Sequence, residues 1–183
     1  LKVDTVEATF GFVDLAGFTA LTEAHGDEQA VSLLDRFAAI AEASLGPRDR
    51  LVKTIGDAVM VAFADPDAAL DGTARLFEAC LAEAGMPVPR AGLHHGEAIE
   101  RDDDFFGATV NLAARVAGQA YGGQVLATAP VADTARQRGI HVVDLGSFTL
   151  RNLTVPVELF ELGLCPASAG TTIDPVCRMQ VPR

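Results

Sequence analysis

The chain has 183 residues and a mass of 19.1 kDa, enough for one compact domain and too little for two of ordinary size. Hydrophobic residues make up 49% and charged residues 21%, which excludes disorder over most of the length. Fourteen Lys+Arg against 25 Asp+Glu give a formal net charge of -11, so the surface lacks the basic footprint of a nucleic-acid or anionic-membrane binder, and a polyphosphate would be repelled unless cations came with it.

Residues 8–14 alternate apolar side chains at Ala8, Phe10 and Phe12, add Val13, and predict a largely buried strand ending on the carboxylate of Asp14. A helix follows, with Ala30, Leu33, Leu34, Phe37, Ala38, Ala41 and Leu45 on one stripe and Gly46-Pro47 as its stop. Residues 51–63 read as a hairpin turning at Gly56-Asp57, where a glycine in first position suits a type II′ turn. Asp65-Pro66-Asp67 opens a second helix with Leu70, Ala74, Phe77, Leu81 and Ala84 on its apolar face and Gly85 after it. Residues 90–99 are strand-like, 107–117 helical, and 124–127 a short strand behind Gly122-Gly123. A short helix over 130–138 and strands near 140–144, 148–150 and 157–162 complete the pattern. The order βαββαβ plus an αβ extension points to an α+β fold with helices packed on one sheet. From Gly163 to Thr172 the composition is that of a linker, which divides the chain into a domain over 1–162 and a tail over 163–183.

Three cysteines, Cys80, Cys165 and Cys177, are too few and too scattered for a disulfide framework and fit a reducing, cytoplasmic setting. No apolar run approaches the roughly 20 residues that span a bilayer, so no membrane contact is expected within the chain. The first residue is Leu1 rather than Met, which reads as a piece of a longer chain with regulatory domains or anchors outside it.

Asp14 ends one strand and Asp57 sits in a hairpin turn. If those strands are neighbours, both carboxylates project from the same edge, where they could share one or two divalent ions. The plainer reading is a helix cap at Asp14 and an ordinary Gly-Asp turn. Asn111 and Arg115 lie four apart on one helical face, opposite a stripe of Val110, Ala113, Ala114 and Ala117 that can pack inward. An amide and a guanidinium at one height suit a sugar oxygen and a phosphate, although a solvated polar face looks the same in sequence. His94 and His95 are adjacent in a strand and would face opposite sides of the sheet, and Cys80 lies within a helix as a packing residue.

Three longer segments change the weight of these readings. Residues 12–19, Phe12-Val13-Asp14-Leu15-Ala16-Gly17-Phe18-Thr19, resemble the first metal motif of class III nucleotidyl cyclases, the adenylyl and guanylyl cyclase catalytic domains. Lys53-Thr54-Ile55-Gly56-Asp57 resembles the second motif, and residues 104–115, from Asp104-Phe105-Phe106-Gly107 through Asn111 to Arg115, resemble the third, in the family's order. The resemblance implies a ferredoxin-like βαββαβ core with an added C-terminal segment, and a head-to-tail homodimer with nucleotide bound between two chains.

By the same resemblance, Asp14 and Asp57, with the backbone carbonyl of Leu15, hold two Mg²⁺ or Mn²⁺ ions. Lys53 and Asp104 read the base, Asn111 orients the ribose and Arg115 meets charge on the α-phosphate. An ammonium donor and a carboxylate acceptor complement N1 and N6 of adenine, and guanine inverts that pattern, so the implied activity is ATP to 3′,5′-cyclic AMP and pyrophosphate. Asp104 also ends the acidic run Asp102-Asp103-Asp104, the bland alternative for that residue. Arg151, in Leu150-Arg151-Asn152, stands where family members often carry a triphosphate-binding lysine followed by glycine; asparagine tolerates the left-handed backbone that glycine allows. Lys53 and Asp57 flank one tight hairpin yet serve opposite ends of the nucleotide, so one chain is expected to supply the metal ligands and its partner Lys53, Asp104, Asn111 and Arg115. A cyclase-derived binding module, a guanylyl cyclase and a palm-like nucleotidyl transferase are the alternatives. Asp174-Pro175-Val176-Cys177-Arg178-Met179 is similar to the opening of YHS-type metal-associated modules, too short here to fold alone.

Overall fold

The computed structural model describes residues 4–164, 171–173 and 180–182. Strand β1 (Asp4–Leu15) runs through the centre of the main sheet, with Val13 and Leu15 turned to one face and Phe10 and Phe12 to the other. Two helices, α1 (Phe18–His25) and α2 (Asp27–Ala43), take the place of the single expected one. Gly26 separates them at φ 84°, a left-handed backbone that a continuous helix does not accommodate. The buried stripe of α2 is Ala30, Leu33, Phe37 and Ala41, with Leu34 and Ala38 half-buried beside it.

Strands β2 (Arg50–Ile55) and β3 (Ala58–Phe63) form the expected hairpin. Gly56 has φ 60° and Asp57 lies outside the positive-φ region, as a type II′ turn requires. Helix α3 (Pro66–Ala82) starts at Asp65, whose side chain accepts a hydrogen bond from the Ala68 N–H at 2.8 Å, with proline at the first helical position. Its packed stripe runs through Leu70, Leu76, Phe77 and Cys80; Leu81, expected inside, is 37% exposed, and Ala84 lies past the helix end.

Strand β4 (Pro89–Arg101) turns into a short strand β5 (Asp104–Phe106) that the sequence pattern did not announce. Asp102 and Asp103 both adopt left-handed backbone, φ 53° and 60°, which makes the connection a type I′ turn without a glycine. After helix α4 (Ala108–Ala117) come β6 (Val125–Ala127), α5 (Ala129–Gln137), β7 (Val142–Phe148) and β8 (Val157–Leu162). Strand β7 joins the two expected strands near 140–144 and 148–150 across an irregularity between Asp144 and Gly146.

The strand order is β2-β3-β1-β4-β6-β8-β7, with β5 paired to β4. The first four strands with α1–α3 make a ferredoxin-like βαββαβ core, antiparallel throughout, and α4, β6, α5, β7 and β8 extend it. Strands β9 (Thr171–Ile173) and β10 (Gln180–Pro182) pair as a separate two-stranded sheet; the YHS-like stretch 174–179 lies outside the described residues.

Helices α2, α3 and α5 cover one face of the main sheet over Val13, Leu15, Val61, Phe63, Ala91 and Leu93. The opposite face is covered by α4, above a smaller cluster of Phe10, Met60, Ala98, Phe105, Val110 and Ala113. Gly92 on β4 sets how closely α4 sits: a Cβ there would overlap the backbone of Ala117. The buried residues of α4 are Val110, Ala113, Val116 and Ala117, while Ala114, expected inside, is exposed.

Candidate active site

Antiparallel pairing of β1 with β3 sets Asp14 opposite Ala58, so Asp14 stands beside Asp57 at one end of the sheet. Burial raises the Asp57 carboxyl above its ordinary value, opposed by a hydrogen bond from its own backbone amide; the Asp14 charge adds to the rise and Arg90 pulls against it. Arg90, at the start of β4, lies directly across the sheet from Asp14. Its Nε donates to Asp14 Oδ1 at 2.5 Å and its Nη2 to Oδ2 at 2.9 Å, a two-pronged ion pair, and its Nη1 donates to the Ala120 carbonyl at 3.1 Å.

Among the described residues no group of three or more His, Cys, Asp or Glu gathers. The anionic donors at this end are two carboxylates, hard oxygen ligands of the kind Mg²⁺ and Mn²⁺ prefer, in a site that leaves coordination positions for a carbonyl, water or phosphate. The residues present therefore fit divalent cations that arrive with an anionic ligand.

A second cluster lies along the same face of the sheet. Lys53 Nζ on β2 donates to Asp104 Oδ2 at 2.5 Å, and the Phe105 amide donates to Asp104 Oδ1 at 2.8 Å. The Lys53 ammonium, with help from that amide, holds the Asp104 carboxyl below its usual range. Strand β5 is fixed by Phe105, whose ring meets Phe10 edge-on at 5.1 Å between centroids and lies 4.6 Å under the Arg50 guanidinium. Beside the pair is an open cavity of about 330 Å³, lined by Phe12, Lys53, Met60, Phe105, Gly107 and Asn111 among others. A larger cavity of about 490 Å³ between α1, α2 and Gly85 contains none of the residues of either cluster.

Asn111 and Arg115 follow one another along α4, Asn111 exposed and Arg115 half-buried, with no side-chain hydrogen bond or ion pair among the described residues. Arg151 lies in the turn between β7 and β8, which the Leu153 amide closes onto the Leu150 carbonyl at 3.0 Å. Asn152 has φ 61°, so it does adopt the left-handed backbone that glycine would supply. The structure thus joins Asp14 with Asp57, and Lys53 with Asp104 and Asn111, and leaves Arg115 and Arg151 outside the cavity of the second group.

The model of the adenylate and guanylate cyclase catalytic domain matches residues 2–161. The chain belongs to this family. It is 40% identical over 131 residues to a pH-sensitive adenylate cyclase of Mycobacterium tuberculosis, covering 72% of this chain and 32% of that protein. It is 32% identical over 165 residues to an adenylate cyclase of Glutamicibacter nicotianae, covering 90% of this chain and 41% of that one. The chain spans less than half the length of these curated relatives. A solved structure of Trypanosoma brucei adenylate cyclases in their monomeric state superposes with a TM-score of 0.78 at 27% identity, covering 87% of this chain and 89% of that one.

Within this cyclase domain, Arg90 is the site residue that motif reading passed over. Two signals existed: it is the charged residue in an otherwise apolar start to a strand, and in an antiparallel sheet a cation there can face a carboxylate at the end of the neighbouring strand. The histidines resolve separately. His94 Nδ1 is 2.6 Å from Thr128 Oγ1, while His95 contacts Thr9 Oγ1 at 2.9 Å and Glu7 at 3.1 Å. Burial, aided by His95, lowers the His94 imidazole to about 4, and burial pushes the Cys80 thiol up to about 12, so His94 stays neutral and Cys80 stays a thiol near neutral pH.

Proposed function

We propose that this cyclase domain converts ATP to 3′,5′-cyclic AMP and pyrophosphate as a head-to-tail homodimer in the cytoplasm. The observation that carries the reading is the preformed Lys53–Asp104 pair beside the Asn111 cavity. Its ammonium offers a donor to N1 of adenine and its carboxylate an acceptor to the N6 amino group. Guanine would set a donor against a donor and an acceptor against an acceptor, leaving polar groups unpaired.

Asp14 and Asp57, with the Leu15 carbonyl, would hold the two Mg²⁺ or Mn²⁺ ions. When bound, such ions lower the pKa of the ribose 3′-hydroxyl and offset the charge of the triphosphate. Asn111 orients the ribose so that its 3′-oxygen faces the α-phosphorus in line with the departing pyrophosphate. Arg115 is a positively charged donor for the charge that grows on the α-phosphate oxygens during displacement. Arg151 supplies a further cation for the terminal phosphates from the β7–β8 turn.

A partner chain follows from this assignment, because Lys53 and Asp57 belong to one tight hairpin yet would serve opposite ends of the nucleotide. Asp14 and Asp57 of one chain would face Lys53, Asp104, Asn111 and Arg115 of the other, giving two equivalent sites. The catalytic unit then runs over 1–162, and 163–183 is a linker and tail that resembles the start of a YHS-type module.

Purified protein with Mn²⁺ should form cyclic AMP from ATP in preference to cyclic GMP from GTP. Asp57→Ala and Arg115→Ala should each lose most of the activity alone and recover part of it when mixed and allowed to exchange. Cyclic GMP as the main product would make it a guanylyl cyclase, absence of either product at high protein concentration would leave a binding module, and active dimers that fail to complement would overturn the shared site.

A further inference from the structure

Asp14 is already occupied in the chain by itself. Both of its carboxylate oxygens receive hydrogen bonds from Arg90, and the same guanidinium is tied on its remaining side to the Ala120 carbonyl at the end of the turn after α4. The pairing is built into the sheet, because Asp14 and Arg90 are direct cross-strand partners on β1 and β4. The hydrogen bond to Asp14 is also the largest influence holding the Arg90 guanidinium in its charged form.

From this we infer that Arg90 is an internal counter-cation that closes Asp14 in the nucleotide-free chain, so that divalent ions enter poorly until an anionic ligand draws the guanidinium away. The inference rests on the reading of Asp14 and Asp57 as metal ligands. A guanidinium and a dication compete for the same oxygen lone pairs and repel one another when side by side. Cation entry therefore requires breaking a forked, charge-assisted ion pair. The released guanidinium remains charged and needs an anion, which a polyphosphate arriving with the cation provides. Arg90 thereby acts as a positioning residue: it keeps Asp14 aimed along the edge of the sheet in the empty site and makes metal and nucleotide load together. It also limits the repulsion between Asp14 and Asp57 when no cation is present.

The test measures Mn²⁺ binding to the nucleotide-free chain by the loss of the free Mn²⁺ resonance signal at fixed ionic strength. Arg90→Gln should bind Mn²⁺ about tenfold or more tightly than the native chain, the scale expected from removing a charged, forked competitor. Arg90→Lys, which keeps the charge and loses the fork, should fall between the two. Adding Asp14→Asn to Arg90→Gln should abolish the gain, placing it at Asp14. Thermal melts and circular dichroism select folded variants; should Arg90→Gln not fold, the native chain against Arg90→Lys carries the same comparison. Equal Mn²⁺ affinity in native and substituted folded chains would overturn the inference, as would a gain that survives Asp14→Asn. The cyclase reading fails separately: a chain that forms no cyclic nucleotide and still shows the Arg90 effect keeps the counter-cation and loses the reaction, while an active chain with no Arg90 effect does the reverse.

Discussion

The two faces of the central sheet are built on opposite principles. Under α2, α3 and α5 the sheet buries a continuous apolar layer, and Leu70, Leu76, Phe77, Ala91 and Leu93 have no accessible surface. The other face carries α4 over a smaller cluster and leaves Ile55 48% and Phe106 49% exposed beside the Lys53–Asp104 pair. Charge follows the same division: Asp14, Arg90, Lys53 and Asp104 all belong to the thinly covered face or its edge. One face is given to cohesion, and the other leaves both polar groups and large apolar side chains exposed.

Substitutions on each face should therefore separate stability from turnover. Phe77→Ala empties a site in the covered layer and should cost about 3–5 kcal/mol in urea unfolding, with turnover per folded molecule unchanged. Arg115→Ala should lower kcat about 10²- to 10³-fold and leave the urea midpoint in place, because Arg115 makes no ion pair among the described residues. Native turnover in Arg115→Ala would remove its transition-state role and blur the division. Gly92→Ala is the substitution aimed at breaking it. It sits under α4 on the thinly covered face, yet its new methyl meets the Ala117 backbone. It should cost about 1–3 kcal/mol and also depress kcat, since α4 carries Asn111 and Arg115. A neutral Gly92→Ala would mean that the placement of α4 has slack that the close packing does not suggest.

These differences also explain what could be read from the sequence. Period-two and helical patterns located the elements of the covered face because burial on that side dictates residue type. The division at Gly26 was hidden because apolar residues continue on both sides of it, and the backbone angle that interrupts the helix leaves no compositional mark beyond one glycine. Strand β5 was hidden because three residues are too few to show a period, and its place comes from pairing with β4 and from the Phe10–Phe105–Arg50 stack. Three ordered motifs singled out Asp14, Asp57, Lys53, Asp104, Asn111 and Arg115, and the structure brings Asp14 beside Asp57, Lys53 onto Asp104, and Asn111 onto the cavity that Lys53 lines. Arg90 depended on which residue faces Asp14 across β1 and β4, a register that only the assembled sheet fixes.

The smallest expected effect tests the covered side through electrostatics instead of volume. Asp65 caps α3, and its carboxyl is held below the ordinary value first by the Ala68 amide and then by Arg48. A carboxyl with a lower value in the folded chain contributes stability that is fully present above the unfolded value of 3.8 and is lost as pH falls through the folded one. Asp65→Ala should therefore cost about 1 kcal/mol near neutral pH. In urea titrations the gap between native and substituted chains should stay constant from neutral pH down to the unfolded value and narrow below it. A gap that persists unchanged in acid would mean that Asp65 holds α3 through shape and its neutral hydrogen bond instead of its charge. Turnover should be insensitive to this substitution at neutral pH, because α3 packs on the face of the sheet away from the Lys53–Asp104 cavity.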